Sequence, residues 1–271
     1  MDLKNQQSIF TYMIDISKDI HIFNSLSDDD KAQIERLVVK VIYESFIITG
    51  DEDYLMSRLL AQKGLLRGFY WAAAQAIEKY FKAFLLMNGE GVKNQAHTLV
   101  ELYKEVCKID DSVIDLEIST HKNLNSETLQ CLQQVTVEQF VRELAKHGVP
   151  DNRYNANGVE YNTVHLFTMD SLVYQLRQKI GVPEINSSFR NFSSDLINIF
   201  GNNNPWFDGA ISKESSQIFS EKFTIIDSSN VTTLDILIKN SNPLYKLALQ
   251  WLCPKMKLPN KICAQIKAQL N

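Results

Sequence analysis

Arg142 and His147 are separated by Glu143-Leu144-Ala145-Lys146, and together they make a chemically useful pair. A guanidinium holds an oxyanion through two parallel N–H donors, and an imidazole moves protons near neutral pH. On a regular helix, positions five apart stand about 140° from each other. The pair therefore shares a face only where the helix frays or kinks, which the adjacent Gly148 permits. A second cation, Arg153, lies in the polar, turn-rich stretch Gly148-Val149-Pro150-Asp151-Asn152-Arg153-Tyr154-Asn155-Ala156-Asn157-Gly158. Free backbone N–H groups beside an arginine suit a phosphate, and a salt bridge to a bundle carboxylate is the equal rival. Tyr154 either stacks on a base or seals the end of a bundle. His121 and His165 sit in no partner pattern and read as solvated or core-edge residues.

Other chemistries are absent from the pattern. Cys107, Cys131, Cys253 and Cys263 form no Cys-x-x-Cys pair, so a zinc ribbon or dense disulfide framework is not expected. There is no His-Glu-x-x-His, Walker loop or Gly-x-Gly-x-x-Gly, and neither a metal nor a cofactor is expected. The chain carries a net charge of −4, less basic than a protein that coats duplex DNA. Its apolar content of 45% suffices for a real core and excludes global disorder. The N-terminus has no signal-peptide stretch, and the apolar run 37–48 is broken by Lys40 and Glu44. These features read as a soluble, cytoplasmic protein without a membrane span.

Helices must position the candidate residues. Five of the six prolines fall after residue 180, so the first two-thirds has few breakers. Ser27 with Asp28, Asp29 and Asp30 opens a helix, followed by Ile34, Leu37, Val38, Val41 and Ile42 at helical spacing, and Gly50-Asp51 is expected to end it. A second helix is expected over 51–62. The segment 65–86 is apolar over most of its surface, with Phe69, Ala73, Ala76, Ile77, Tyr80 and Phe84 on one stripe, and belongs at the centre of a bundle. Glu78 and Lys82 are placed to pair across one turn. Further helices are expected over 97–107, toward 147, and over 163–180. From 183 onward Asn, Ser and Pro become frequent. Phe223-Thr224-Ile225-Ile226 suits a short extended piece, and Asn242-Pro243 opens another helix. Lys255, Lys257, Lys261 and Lys267 have no acid near them in sequence. They form either a solvated face or a surface for RNA or a membrane.

The expected fold class is all-α: a bundle over 51–182, an N-terminal helical extension over 1–50, and a smaller, mostly helical C-terminal module over 183–271. The bundle segment resembles the HEPN domain family. Four places carry the resemblance: Asp53-Tyr54 with Arg58-Leu59-Leu60; Gln75-Ala76-Ile77-Glu78-Lys79 with Lys82-Ala83; His97-Thr98-Leu99-Val100-Glu101-Leu102; and Arg153-Tyr154. The resemblance implies an antiparallel four- or five-helix bundle, a homodimer, and work on RNA or nucleotides in stress, defence or regulation. It puts Arg67, Lys79, His97, Arg153 and Tyr154 forward as nucleotide or phosphate contacts, although for His97 a structural role at a helix start, orienting a loop, is the first reading. Active members of the family are metal-independent ribonucleases with Arg-x(4–6)-His. By that likeness Arg142 would stabilise charge on the phosphate and His147 would transfer the proton. Three readings follow: a non-catalytic binder of RNA or nucleotides, a ribonuclease using Arg142 and His147, or an interaction protein that takes its partner through 183–271.

Overall fold

A computed structural model of the chain describes residues 14–93, 98–113, 135–148, 164–181, 199, 204, 232–258 and 260–270. His97, Arg153, Tyr154 and the stretch 223–226 lie outside the described residues. Among the described residues the regular structure is helical and there is no strand, so the chain is all-α.

Helix α1 (Asp28–Ile42) begins as its sequence dictates: the Ser27 side chain accepts from the Asp30 backbone N–H, and three aspartates occupy the first turn. The break expected at Gly50-Asp51 does not occur. A π-helical turn over Tyr43–Ile48 carries the chain directly into α2 (Thr49–Gln62). Gly50 costs such a helix only about 1 kcal/mol relative to alanine. The neighbouring Ile47, Tyr54 and Leu55 are buried and offset that cost. The real stop is Gly64, whose φ of 70° lies in the left-handed region. There the Leu65 N–H reaches the Leu60 carbonyl (2.8 Å) and the Gly64 N–H the Ala61 carbonyl (3.0 Å).

Helix α3 (Leu66–Met87) is the axis of the bundle. Its expected stripe is buried throughout, and α2, α4 (Leu99–Ile109), α5 (Val137–His147) and α6 (Val164–Ile180) pack around it. A helix so apolar leaves no face for solvent, so neighbours must enclose it. It stops at Gly89 (φ 83°), again with paired bonds: Glu90 N–H to Leu85 (2.9 Å) and Gly89 N–H to Leu86 (3.0 Å). Thr98 caps α4. Thr136 and Gln139 form a reciprocal capping box on α5.

The C-terminal helices are α7 (Thr233–Lys239), α8 (Pro243–Lys255) and α9 (Asn260–Leu270). Asn242 caps α8 by accepting from the Leu244 N–H at 2.9 Å, with Pro243 at the first helical position. Helices α7 and α8 lie on α1, and Ala248, Leu249, Trp251 and Leu252 join the same buried core as α3. Two contacts tie this layer down. Glu44, in the π-helical turn, accepts from the Thr233 N–H (2.6 Å) and hydroxyl (2.7 Å) at the start of α7. Lys255 donates to the Gly89 carbonyl (2.7 Å), pairs with Asp19 (3.0 Å) and sits 4.9 Å from the centroid of the Trp251 ring. Among the described residues no helix is long and apolar enough to cross a membrane.

Candidate functional site

The densest polar chemistry lies inside the bundle, where α2 and α6 run in opposite directions beside α3. Both helices carry Asp and Arg seven positions apart: Asp51 and Arg58, Asp170 and Arg177. Seven positions is two helical turns, which puts both groups of each helix on one face. The antiparallel order then sets Asp51 against Arg177 and Asp170 against Arg58, and all four are fully buried. Each carboxylate also receives a tyrosine hydroxyl: Tyr80 donates to Asp51, and Tyr54 donates to Asp170 at 2.5 Å. Asn204 donates to the Tyr54 oxygen (3.0 Å), and Arg58 also reaches the Ile199 carbonyl (3.3 Å).

Burial pushes the Asp170 carboxyl above its ordinary range, against the pull of Arg58. Burial, with the facing carboxylates, holds Tyr54 and Tyr80 well above the usual phenol value, so both remain donors. This seam is closed to solvent. Its chemistry is positional: it fixes the register of α2 against α6.

A second polar group joins α3, α5 and α6. The Tyr70 hydroxyl lies 2.6 Å from His165 Nδ1, and His147 Nε2 lies 3.1 Å from Glu143. The Tyr70 ring centroid is 4.9 Å from that of His147 and 5.7 Å from that of His165. Gly148 makes the approach possible: a Cβ there would meet the Ala74 Cβ at 2.5 Å and the Tyr70 carbonyl oxygen at 2.7 Å. Burial, with His147 nearby, holds His165 below the ordinary histidine value, although Glu143 pulls the other way.

The structure separates the expected pair Arg142 and His147. Helix α5 stays regular through His147, so the 140° offset persists. Arg142 is exposed and paired with Glu138 one turn back (2.6 Å), whereas the His147 side chain is 2% exposed and faces Tyr70. Arg67 is exposed in the first turn of α3. Lys79 is held by Asp53 (2.6 Å) and the Thr49 carbonyl (3.2 Å). A shallow groove of about 300 Å³ between α4 and α5 is lined by Tyr103, Lys104, Cys107, Lys108 and Glu138. Among the described residues no three His, Cys, Asp or Glu side chains are placed to hold a metal ion.

Sequence reasoning missed the four buried charges, although the Asp-x6-Arg spacing on both α2 and α6 was a readable signal. It also left His165 without a partner; Tyr70, 95 positions away in sequence, supplies it. No family model, curated protein or solved structure matches the chain. The likeness to HEPN domains therefore rests on the quoted residues.

Proposed function

We propose that this chain is a non-catalytic helical-bundle protein that binds RNA or nucleotides, with the homodimeric arrangement the HEPN resemblance implies. The observation that favours binding over cleavage is the placement of Arg142 and His147. A ribonuclease acting through them needs both groups at one phosphate. Arg142 is instead committed to Glu138 at the surface, and His147 is enclosed against Tyr70. Arg67, exposed at the start of α3, remains a candidate contact on the described surface.

The test is incubation of the purified protein with total RNA in EDTA, beside Arg142→Ala and His147→Ala, followed by thermal melting with each common nucleotide and by filter binding to RNA. The expected result is intact RNA together with binding or a nucleotide-dependent rise in Tm. Cleavage by the wild type that both substitutions abolish would replace this reading with the ribonuclease one. Intact RNA with neither binding nor a Tm shift would leave the interaction-protein reading.

A further inference from the structure

Five large apolar side chains are exposed among the described residues: Ile22, Met56, Leu65, Ile109 and Ile236. Ile22, Ile109 and Ile236 each stand on a separate element, as single apolar residues commonly do on a protein surface. Met56 (50% exposed) and Leu65 (58% exposed) belong together, one on α2 and the other in the turn that closes it. The other side of α2 faces inward. Asp51, Tyr54, Leu55, Ser57 and Arg58 are buried, and the two buried ion pairs fix the helix against α6. The outward ridge of α2 is therefore presented on a helix the bundle holds in place.

That ridge is Glu52, Met56, Leu59 and Lys63, the last being the residue that caps the helix. Intervals of four, three and four residues keep all four side chains within a sector of about 60°. These are also the intervals of the seam positions in a packed helix pair. Glu52, Met56 and Lys63 are exposed, and Leu59 is half-buried. The ridge thus has an apolar centre, a carboxylate at its N-terminal end and an ammonium at its C-terminal end. Lys63 stands in no salt bridge among the described residues. Lys79, the cation that acts on Glu52, is itself held by Asp53 at 2.6 Å. The pattern is self-complementary. A half-turn about an axis through its middle sets Glu52 of one copy opposite Lys63 of the other, and Met56 opposite Leu59. Parallel packing of two such ridges would instead set Glu52 against Glu52 and Lys63 against Lys63.

We propose that the outward ridge of α2 is the seam of a homodimer, packed antiparallel against the same ridge of a second copy of this chain about a two-fold axis. This rests on the homodimeric reading above and assigns its surface. A second copy is the partner the charges fit, because each finds its opposite at the equivalent place on an identical ridge. The two Glu52–Lys63 pairs lie at the rim, where charge sets direction more than affinity. Met56 and Leu59 of both copies supply the apolar centre, and the flexible methionine fills irregular gaps there. Leu65 adds apolar surface beyond Lys63. A seam of one helix per copy is small, so association is expected in the roughly micromolar range.

The experiment is sedimentation velocity of the full chain over a dilution series at low salt. Beside the wild type run Met56→Glu, Glu52→Lys, Lys63→Glu and the double variant Glu52→Lys with Lys63→Glu. An unchanged circular dichroism spectrum establishes that each variant is folded, and Met56→Gln serves if Met56→Glu is not. The expected wild type is a dimer that dissociates on dilution. Met56→Glu enters the seam twice per dimer and raises the dissociation constant about a hundredfold. Each single charge reversal sets like charges together at both ends and weakens the dimer about tenfold, whereas the double reversal returns it to within about twofold of the wild type. A double variant as weak as the single ones would overturn the antiparallel seam. Undiminished dimerisation of folded Met56→Glu would overturn the surface while leaving a homodimer through another face. A wild type that stays monomeric at about 100 μM would overturn both the seam and the homodimer.

Discussion

Helix α2 meets α6 through charge, whereas α1 meets α8 through hydrocarbon. The first seam holds Asp51, Arg58, Asp170 and Arg177, all removed from water. At the second, the buried residues of the two helices are apolar, among them Ile34 and Val38 on α1 and Leu249 and Leu252 on α8. Apolar contact is tolerant: it rewards area and accepts small shifts along the helix axis. A buried Asp–Arg pair is not tolerant, because a slide by one turn leaves each charge without its partner in a low dielectric. The reciprocal order adds direction. Reversing α6 would bring Asp51 against Asp170 and Arg58 against Arg177. The charged seam therefore specifies an alignment that the apolar seam alone would leave loose, at some cost in stability.

The sharpest way to break that contrast is Arg58→Met. It leaves the Asp170 carboxylate buried beside the Tyr54 hydroxyl without its arginine, and the expected loss is about 3–5 kcal/mol in urea unfolding. Adding Asp170→Leu removes the stranded charge and should restore most of that loss. A double variant as unstable as the single one would mean that the pair stabilises in its own right. On the apolar seam, Leu249→Ala should cost about 3 kcal/mol through lost burial and the cavity left behind. Here no second truncation should rescue it, since no charge is stranded. Rescue by a further truncation of α1 would show that this seam is as position-specific as the charged one.

A smaller effect is expected where α5 touches α3. Gly148→Ala would force its new methyl to within 2.5 Å of the Ala74 side chain. The backbone at Gly148 has φ −89°, which any residue adopts, so the penalty is purely one of space. The expected loss is about 2 kcal/mol, read from the urea midpoint. Pairing it with Ala74→Gly should recover part of the loss. An additive double variant would place the strain at the Tyr70 carbonyl instead.

Much of this layout was legible in the sequence where one helix carries its own instructions. Ser27, Asn242 and Pro243 mark their helix starts by capping chemistry that needs nothing distant, and the apolar circumference of α3 already demands neighbours on all sides. The unbroken run through Gly50 was not legible, because glycine weakens a helix without ending it unless a left-handed turn follows, as one does at Gly64. Nor was the charged seam. A helical Asp or Arg in sequence looks the same whether water or another helix faces it, and only the repeated Asp-x6-Arg hinted at reciprocity. The partners of Lys255 and His165 come from distant positions, Asp19 and Tyr70, and no local spacing records them. For the candidate site, the sequence identified residue types able to bind or cleave. The 140° offset of Arg142 from His147 was readable from their spacing, but that α5 stays regular through His147 and that Tyr70 encloses its ring was not.

The smallest expected effect separates polar burial that titrates from polar burial that does not. Tyr54 and Tyr80 keep their protons at any ordinary pH, and Asp51 and Asp170 face arginines. His165 is different: its folded-state value lies below the unfolded one of about 6.5, with burial as the main cause. Between the two values the unfolded chain binds more protons than the folded one, so stability rises with pH across that window. The contribution is fully present above about 6.5 and is lost as the pH falls toward the folded value. The groups facing the ring shape the window: Tyr70 accepts or donates at Nδ1, His147 opposes a second positive charge, and Glu143 favours it. Urea unfolding of the wild type at stepped pH below 7 should therefore show a decline that His165→Asn flattens, while the amide oxygen of Asn still accepts the Tyr70 hydroxyl. If His165→Asn declines with the wild-type slope, the acid sensitivity belongs to another group and the α3–α5–α6 contact is as inert to protons as the seam between α2 and α6.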